Sequence, residues 1–265
     1  SVILIGNANV GKSVVFSLLT GAYAAVSNYP GTTVEITKGV MTHQGVVREV
    51  IDTPGVTDFA GRSEDERVAR DVLLTHISAI VVLVVDAKNL ARGLYLAFFL
   101  AALGRKMVVA LNMIDEAAEQ GIEISVPVLE EMLHVPVIPM VAVKGVGIDA
   151  LCKAIDTAKE CSFVPPIVPE LESAVLAAEA CVSPLQTGVF GIAIIALCAS
   201  EYGECDGIDS DPDCIASVIR TFRAQNKESF SAVLARWWMQ TARNISTRCE
   251  QRCDRNRTQK LAKFL

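Results

Sequence analysis

No apolar run in this chain approaches the roughly 18 residues that a membrane-spanning helix needs. The two longest, Leu94 to Leu103 and Gly188 to Ala199, are therefore read as buried helices. Positive charge is not in surplus either. With a formal net charge of -6 and a pI near 5.2, general affinity for nucleic acid or anionic lipid is excluded, because both require a basic face. There is no charged-then-apolar leader: the chain opens directly in the strand-like run Val2 to Ile5, so a few residues are expected to be missing in front. A disulfide framework is unnecessary, since 265 residues bury enough apolar surface to fold without one. Of the eight cysteines, Cys152, Cys161, Cys181 and Cys198 lie in apolar stretches read as helical, where cysteine behaves as a small hydrophobe. Reduced thiols and a cytoplasmic setting are expected. Cys249 and Cys253 stand four apart on a predicted helix, so both sulfurs share a face that could hold a metal, but no further ligands are evident.

From residue 1 to about 160, β-branched runs alternate with amphipathic stretches, the rhythm of a largely parallel sheet covered by helices on both faces. Buried strands are predicted at Val2 to Ile5, Ala79 to Val85, Met107 to Leu111 and Val135 to Ile138, with a hairpin formed by Glu35 to Thr42 and Val46 to Ile51. Three prolines between Phe163 and Pro169 predict an extended linker. Beyond it, Glu170 to Cys181, Leu185 to Ala199, Asp213 to Ala224 and Ser229 to Lys263 suit helices, with a polar loop over Glu201 to Asp211. The expected domains are residues 1–162, a linker at 163–169, and a small all-α domain over 170–265.

Gly6-Asn7-Ala8-Asn9-Val10-Gly11-Lys12-Ser13, followed by Val14, fits the phosphate-loop pattern G-x-x-x-x-G-K-[ST], with a buried strand before it and a helical pattern after it. Such a loop turns backbone N–H groups inward around phosphates, and the helix N-terminus adds its positive end. Lys12 is expected to neutralise the β and γ phosphates, and Ser13 to ligate Mg²⁺. Asp52-Thr53-Pro54-Gly55 follows a strand at the place where a second acidic residue reaches Mg²⁺, and Gly55 can bring its N–H to a γ-phosphate. The fold class is thus α/β, a P-loop GTPase fold with a mostly parallel sheet.

Asn112-Met113-Ile114-Asp115 emerges from the next strand at the base-binding edge. Asp115 can accept hydrogen bonds from N1–H and the exocyclic amine of guanine, a pair that adenine lacks; loss of one such bond costs about 1.5–3 kcal/mol. Met113 stands where N-K-x-D loops carry lysine. Val141-Ala142-Val143-Lys144 occupies the last guanine-binding loop, where the backbone of Val143 and Lys144 can face the base but Ala142 offers no hydroxyl.

These motifs, together with Asn28-Tyr29-Pro30-Gly31-Thr32-Thr33-Val34-Glu35, Ser63 to Arg70 and Val85 to Leu90, resemble the N-terminal G domain of the ferrous-iron transport protein B family. The resemblance covers nearly all of residues 1–160 and is faint beyond 165. It implies that Thr33, with Gly31 and Thr32 in the first switch, closes on Mg²⁺ when GTP is bound, and that the second switch departs from the family pattern at Thr57-Asp58. It further implies a fragment of a longer protein whose membrane channel region would be its partner. That places the fragment at the cytoplasmic face of the bacterial inner membrane, with a homo-oligomer possible there and no nucleic acid partner. No Ras-like glutamine is present, for Val56 or Thr57 stands there, and no motif places an arginine finger. Asn9, an asparagine shared with potassium-activated relatives, is the expected K⁺ ligand, completed by carbonyls near Ser27 and Tyr29. The catalytic group is therefore Lys12, Thr33, Gly55 and Asn9. Two other functions fit the motifs: a ribosome-assembly or RNA-modification GTPase, disfavoured by the acidic pI, and a nucleotide sensor with negligible turnover. Arg236, Arg243, Arg248, Arg252, Arg255, Arg257, Lys260 and Lys263 make the C-terminal helix basic, either as a solvated face or as a juxtamembrane segment. Trp237 and Trp238 are expected to lie between helices.

Overall fold

The computed structural model describes residues 1–21, 24–183 and 188–252. β1 (Val2–Gly6) is buried along its whole length and lies at the centre of a seven-stranded sheet. Its neighbours are β4 (Val46–Asp52) on one side and β5 (Ile80–Asp86) on the other, both parallel to it, and β6 (Met107–Asn112) and β8 (Val137–Pro139) extend the parallel part. β2 (Ala24–Asn28) and β3 (Glu35–His43) complete the other edge, antiparallel through the β3–β4 hairpin, giving the order β2-β3-β4-β1-β5-β6-β8. Side chains alternate across the pleat. Val2 and Leu4 therefore meet Phe16 and Leu19 of α1 (Lys12–Thr20) and Leu151 and Ile155 of α6 (Ile148–Asp156), while Ile3 and Ile5 join the opposite cluster with α2 (Glu64–Thr75), α3 (Leu90–Ala102) and α5 (Val126–Leu133).

α3 is apolar from Gly93 to Ala102 because it is covered on two sides, by the sheet and by the helices that follow. Those helices are α7 (Pro169–Glu179), α8 (Val189–Ser200), α9 (Pro212–Gln225) and α10 (Phe230–Cys249). Trp238 of α10 is fully buried with its ring 4.8 Å from Phe99, and Tyr95, Phe98 and Phe163 pack around the pair. Residues 163–168 are neither helix nor strand, as the prolines predict, whereas Pro169 is the first residue of α7, a position that needs no backbone donor. The indoles of Trp237 and Trp238 both donate to the Pro166 carbonyl, so the linker is clasped by α10, although Trp237 remains 37 % exposed.

Several expectations are corrected. The last helix ends at Cys249, not Lys263: the chain turns extended and β9 (Glu250–Arg252) pairs antiparallel with β7 (Ile122–Ile124), a short strand after α4 (Ile114–Glu119). Three-residue strands carry too little alternation to be read from sequence. The strand predicted from Val135 starts only at Val137, after His134 caps α5 in the left-handed conformation. Cys161 lies past the end of α6, not within a helix. Cys181 is disulfide-bonded to Cys214, against the expectation of reduced thiols, because the return of the chain beside Cys181 brings the two Cα atoms to 5.7 Å, a proximity that local apolar context does not reveal. Cys253, Arg255, Arg257, Lys260 and Lys263 lie outside the described residues. Among the described residues no helix is long and apolar enough to cross a membrane.

Candidate nucleotide site

The phosphate loop spans the end of β1 and the start of α1. Gly11 has φ 86°, and a Cβ there would lie 2.4 Å from the Asn112 amide, so glycine is required on two counts. Among the described residues no side chain caps the N-terminus of α1, which leaves that end open to an anion. Lys12 Nζ pairs with the Asp52 carboxylate and reaches the Thr53 carbonyl, and Ser13 Oγ donates to Asp52 Oδ2 at 3.1 Å. Lysine, serine and aspartate from two elements thus meet at one point, with side-chain exposures of only 10 % for Lys12 and 9 % for Asp52. Oxygen donors of this kind suit a hard cation such as Mg²⁺. Pro54 and Gly55 follow Thr53 directly, and a Cβ on Gly55 would come within 2.9 Å of the Ala8 backbone, so glycine permits the close approach. Asn7 fastens the same junction, its Nδ2 donating to the Val56 carbonyl at 2.8 Å while Val56 N donates to Gly6 O. Val56 is therefore buried and only Thr57 of that pair is exposed.

At the base end, Asn112 donates to Val10 O at 3.0 Å and accepts from Ala142 N at 2.9 Å, bracing three loops with one side chain. Met113 is left-handed, with φ 62°, and Val143 is 80 % exposed. Asp115 Oδ1 accepts from Glu116 N, and Oδ2 lies 3.1 Å from Lys144 Nζ. The hydrogen bond that the neighbouring Lys88 ammonium donates to the Glu116 carboxylate pushes the Lys88 ammonium up. An apolar cavity of about 320 Å³ lies behind these loops, between Leu111, Ile114, Ile122 and Pro139; its lining lacks phosphate-binding donors, so the chemistry resides on the P-loop side.

Thr33 stands apart from this cluster. Its hydroxyl donates to Glu64 Oε2 at 2.9 Å, and Thr32 Oγ1 donates to Tyr29 O just after the φ 77° turn at Gly31. α2 is capped by Ser63, whose hydroxyl accepts from Glu66 N, while Glu66 Oε2 accepts from Arg62 N. Burial, with Asp58 nearby, pushes the Glu66 carboxyl up. On the other side of α2, Arg67 pairs with Glu204 at 2.8 Å and the buried Arg70 donates to the carbonyls of Glu204 and Asp206.

Residues 1–155 match the family profile described as Ferrous iron transport protein B. The chain belongs to this family. It is 35 % identical over 195 residues to the Fe(2+) transporter FeoB of Synechocystis sp., covering 72 % of this chain and 31 % of that protein, and 42 % identical over 160 residues to that of Shigella flexneri, covering 59 % and 21 %. The chain therefore spans about a third or less of these relatives. Among solved structures, a GDP-bound mutant of the S. thermophilus NFeoB protein superposes with a TM-score of 0.79 at 28 % identity, over 94 % of this chain and 98 % of the other. The apo cytosolic domain of the T. maritima FeoB transporter superposes with 0.76 at 26 %, again over 94 % and 98 %.

Within this FeoB framework the structure gathers Gly6 to Ser13 with Asp52 to Gly55, and Asn112 to Asp115 with Ala142 to Lys144, and leaves Thr33 on Glu64. Val14 follows on α1, and Asn9, at φ 64°, is exposed. Three contacts escaped the sequence reading: Asn7 to Val56, Glu64 to Thr33, and the α2 arginines to the Glu204 loop. Only the last left a trace, two arginines three apart on a predicted helix.

Proposed function

We propose that this chain binds guanine nucleotides and hydrolyses GTP slowly as the cytosolic G-protein region of a ferrous-iron transporter at the cytoplasmic face of the bacterial inner membrane. The observation that carries the proposal is the convergence of Lys12, Ser13 and Asp52 at the open end of α1, on the same sheet edge as Asn112, Asp115 and Ala142. Lys12 would neutralise the β and γ phosphates, Gly55 N–H would reach the γ-phosphate, and Asp115 would select guanine. Ser13, Asp52 and, after switch closure, Thr33 would hold Mg²⁺, which neutralises phosphate charge when bound. For that, Thr33 must leave Glu64.

Asn9 would hold K⁺, which would supply part of the charge stabilisation that an arginine finger gives, about 10³–10⁵-fold in related enzymes. The membrane channel region of the same polypeptide is the proposed partner, and a homo-oligomer in the membrane is proposed with it. Calorimetry with GDP and ADP, followed by single-turnover hydrolysis in potassium and in sodium chloride, tests these assignments. Tight GDP binding without ADP binding is expected, with faster turnover in potassium that Asn9→Ala removes. Equal affinity for both nucleotides overturns the guanine assignment, and equal rates in both salts remove the cation. Measured hydrolysis also decides against a sensor with negligible turnover, the reading that the absence of glutamine at Val56 and Thr57 keeps open.

A further inference from the structure

At the amino ends of β5 and β6, on the opposite side of the sheet from the phosphate loop, Arg105 is held in an unusual setting. It is 6 % exposed. Its Nη2 donates to the carbonyls of Leu73, at 3.0 Å, and His76, at the end of α2, while its Nε is buried without a partner. Among the described residues no carboxylate neutralises it. Burial alone pulls the guanidinium down to about 10, so it remains a cation at neutral pH. A buried charge without a counter-charge is costly to maintain. Arg105 also lines a cavity of about 290 Å³, together with Ser78, Gly104, Lys106, Glu160 and Gly188. Gly188 is the N-cap of the twelve-residue helix α8, and among the described residues no side chain caps that end, so the positive end of the helix dipole adds to the cavity. Lys106, just before β6, and Gly188, at the start of α8, come from the two halves of the chain.

We propose that this cavity binds a phosphate group, held by Arg105, Lys106 and the amino end of α8, and so ties α8 to the amino ends of β5 and β6. Arg105 supplies the desolvated charge, Lys106 an exposed one, and the helix amides the directional donors. Glu160 at the rim opposes the ligand. The site is separate from the nucleotide site and does not depend on the function proposed there.

Inorganic phosphate, titrated by calorimetry at constant ionic strength into the full chain carrying Lys12→Ala, removes the contribution of the P-loop cation from the signal. One saturable site is expected. Added Arg105→Gln should weaken it by about tenfold or more and Lys106→Gln by roughly two- to fivefold, whereas Glu160→Gln should tighten it by a similar small factor. Because Arg105 also caps α2 and its loss can unfold the chain, the opposite signs expected from exposed Lys106 and Glu160 decide the matter independently. Absence of saturable binding overturns the proposal, as does binding that none of the three substitutions alters. Vesicles of phosphatidylcholine with and without phosphatidic acid separate the sources: retention only by the phosphatidic acid vesicles, blocked by Arg105→Gln, assigns the phosphate to a lipid headgroup.

Discussion

At the phosphate end of the site Lys12 and Ser13 are both engaged by Asp52, whereas at the base end Asn112 braces Val10 and Ala142 with bonds that no ligand has to break. The first arrangement is a charge pair buried to about nine-tenths; the second is a scaffold of amide hydrogen bonds with exposed side chains, Val143 and Lys144, at its rim. Arrival of phosphate charge must redistribute the Lys12–Asp52 pair, while guanine meets loops already in place and competes with Lys144 and Glu116 N for Asp115. The phosphate end is therefore built to change on binding and the base end to stay put.

The largest effect is expected from Lys12→Ala. It removes the cation that faces developing phosphate charge, and turnover should fall by about 10²–10³ or more. It also leaves Asp52 buried without its partner, so stability should drop as well. Single-turnover hydrolysis and thermal denaturation on the same preparation measure both. Loss of turnover with the guanine preference intact supports two separable ends, and a simultaneous loss of base preference would break the comparison. Asp115→Asn comes next. GDP affinity should fall roughly ten- to a hundredfold, with preference moving toward xanthine nucleotides, because the carboxylate that accepts from the guanine edge is gone. Calorimetry with GDP and XDP checks it. If the two ends are independent, the Lys12 and Asp115 effects on affinity add in the double variant.

Ala142→Ser should be smaller. Ala142 N is already tied to Asn112, so a hydroxyl adds one bond to a braced loop, worth about 0.5–1.5 kcal/mol, or roughly two- to tenfold slower GDP release by stopped flow. An unchanged or faster rate would mean that this loop does not limit release.

How far the sequence discloses this contrast depends on range. The phosphate loop, Asp52 to Gly55 and Asn112 to Asp115 are contiguous motifs whose backbone demands are local, so strand, turn and helix around them are all legible, and the pleat alternation of Val2 to Ile5 places the sheet. The partners chosen across the fold are not. Nothing near Asn7 announces Val56, and nothing near Thr33 announces Glu64, because each pair is set by how switch segments lie on the sheet. Likewise Cys181, in the turn after α7, and Cys214, in the first turn of α9, are far apart in sequence, and only the packing of α7 against α9 makes them neighbours. The final helix is shorter than its pattern predicts for a related reason: Glu250 to Arg252 pairs with β7 although the helical pattern continues through it.

Glu66 lies at neither end, which makes it a control on whether burial of charge, rather than nucleotide chemistry, sets the behaviour of Lys12 and Asp52. It is 8 % exposed, and burial together with Asp58 pushes its carboxyl up. A group that holds its proton more tightly when folded favours folding at low pH, and that contribution is lost as pH rises through the folded-state value. At neutral pH the ionised Glu66 therefore costs stability. Glu66→Gln removes the charge but keeps an oxygen to accept from Arg62 N, so its melting temperature should exceed that of the parent at pH 7. Roughly 1 kcal/mol corresponds to about 2–4 °C in a chain of this size. As pH falls into the ordinary carboxylate range and Glu66 protonates, the two curves should converge. A deficit for the variant at pH 7 would show that Glu66 contributes through its charge, by pairing with Arg62. A constant offset at every pH would show that ionisation of this side chain is not what differs.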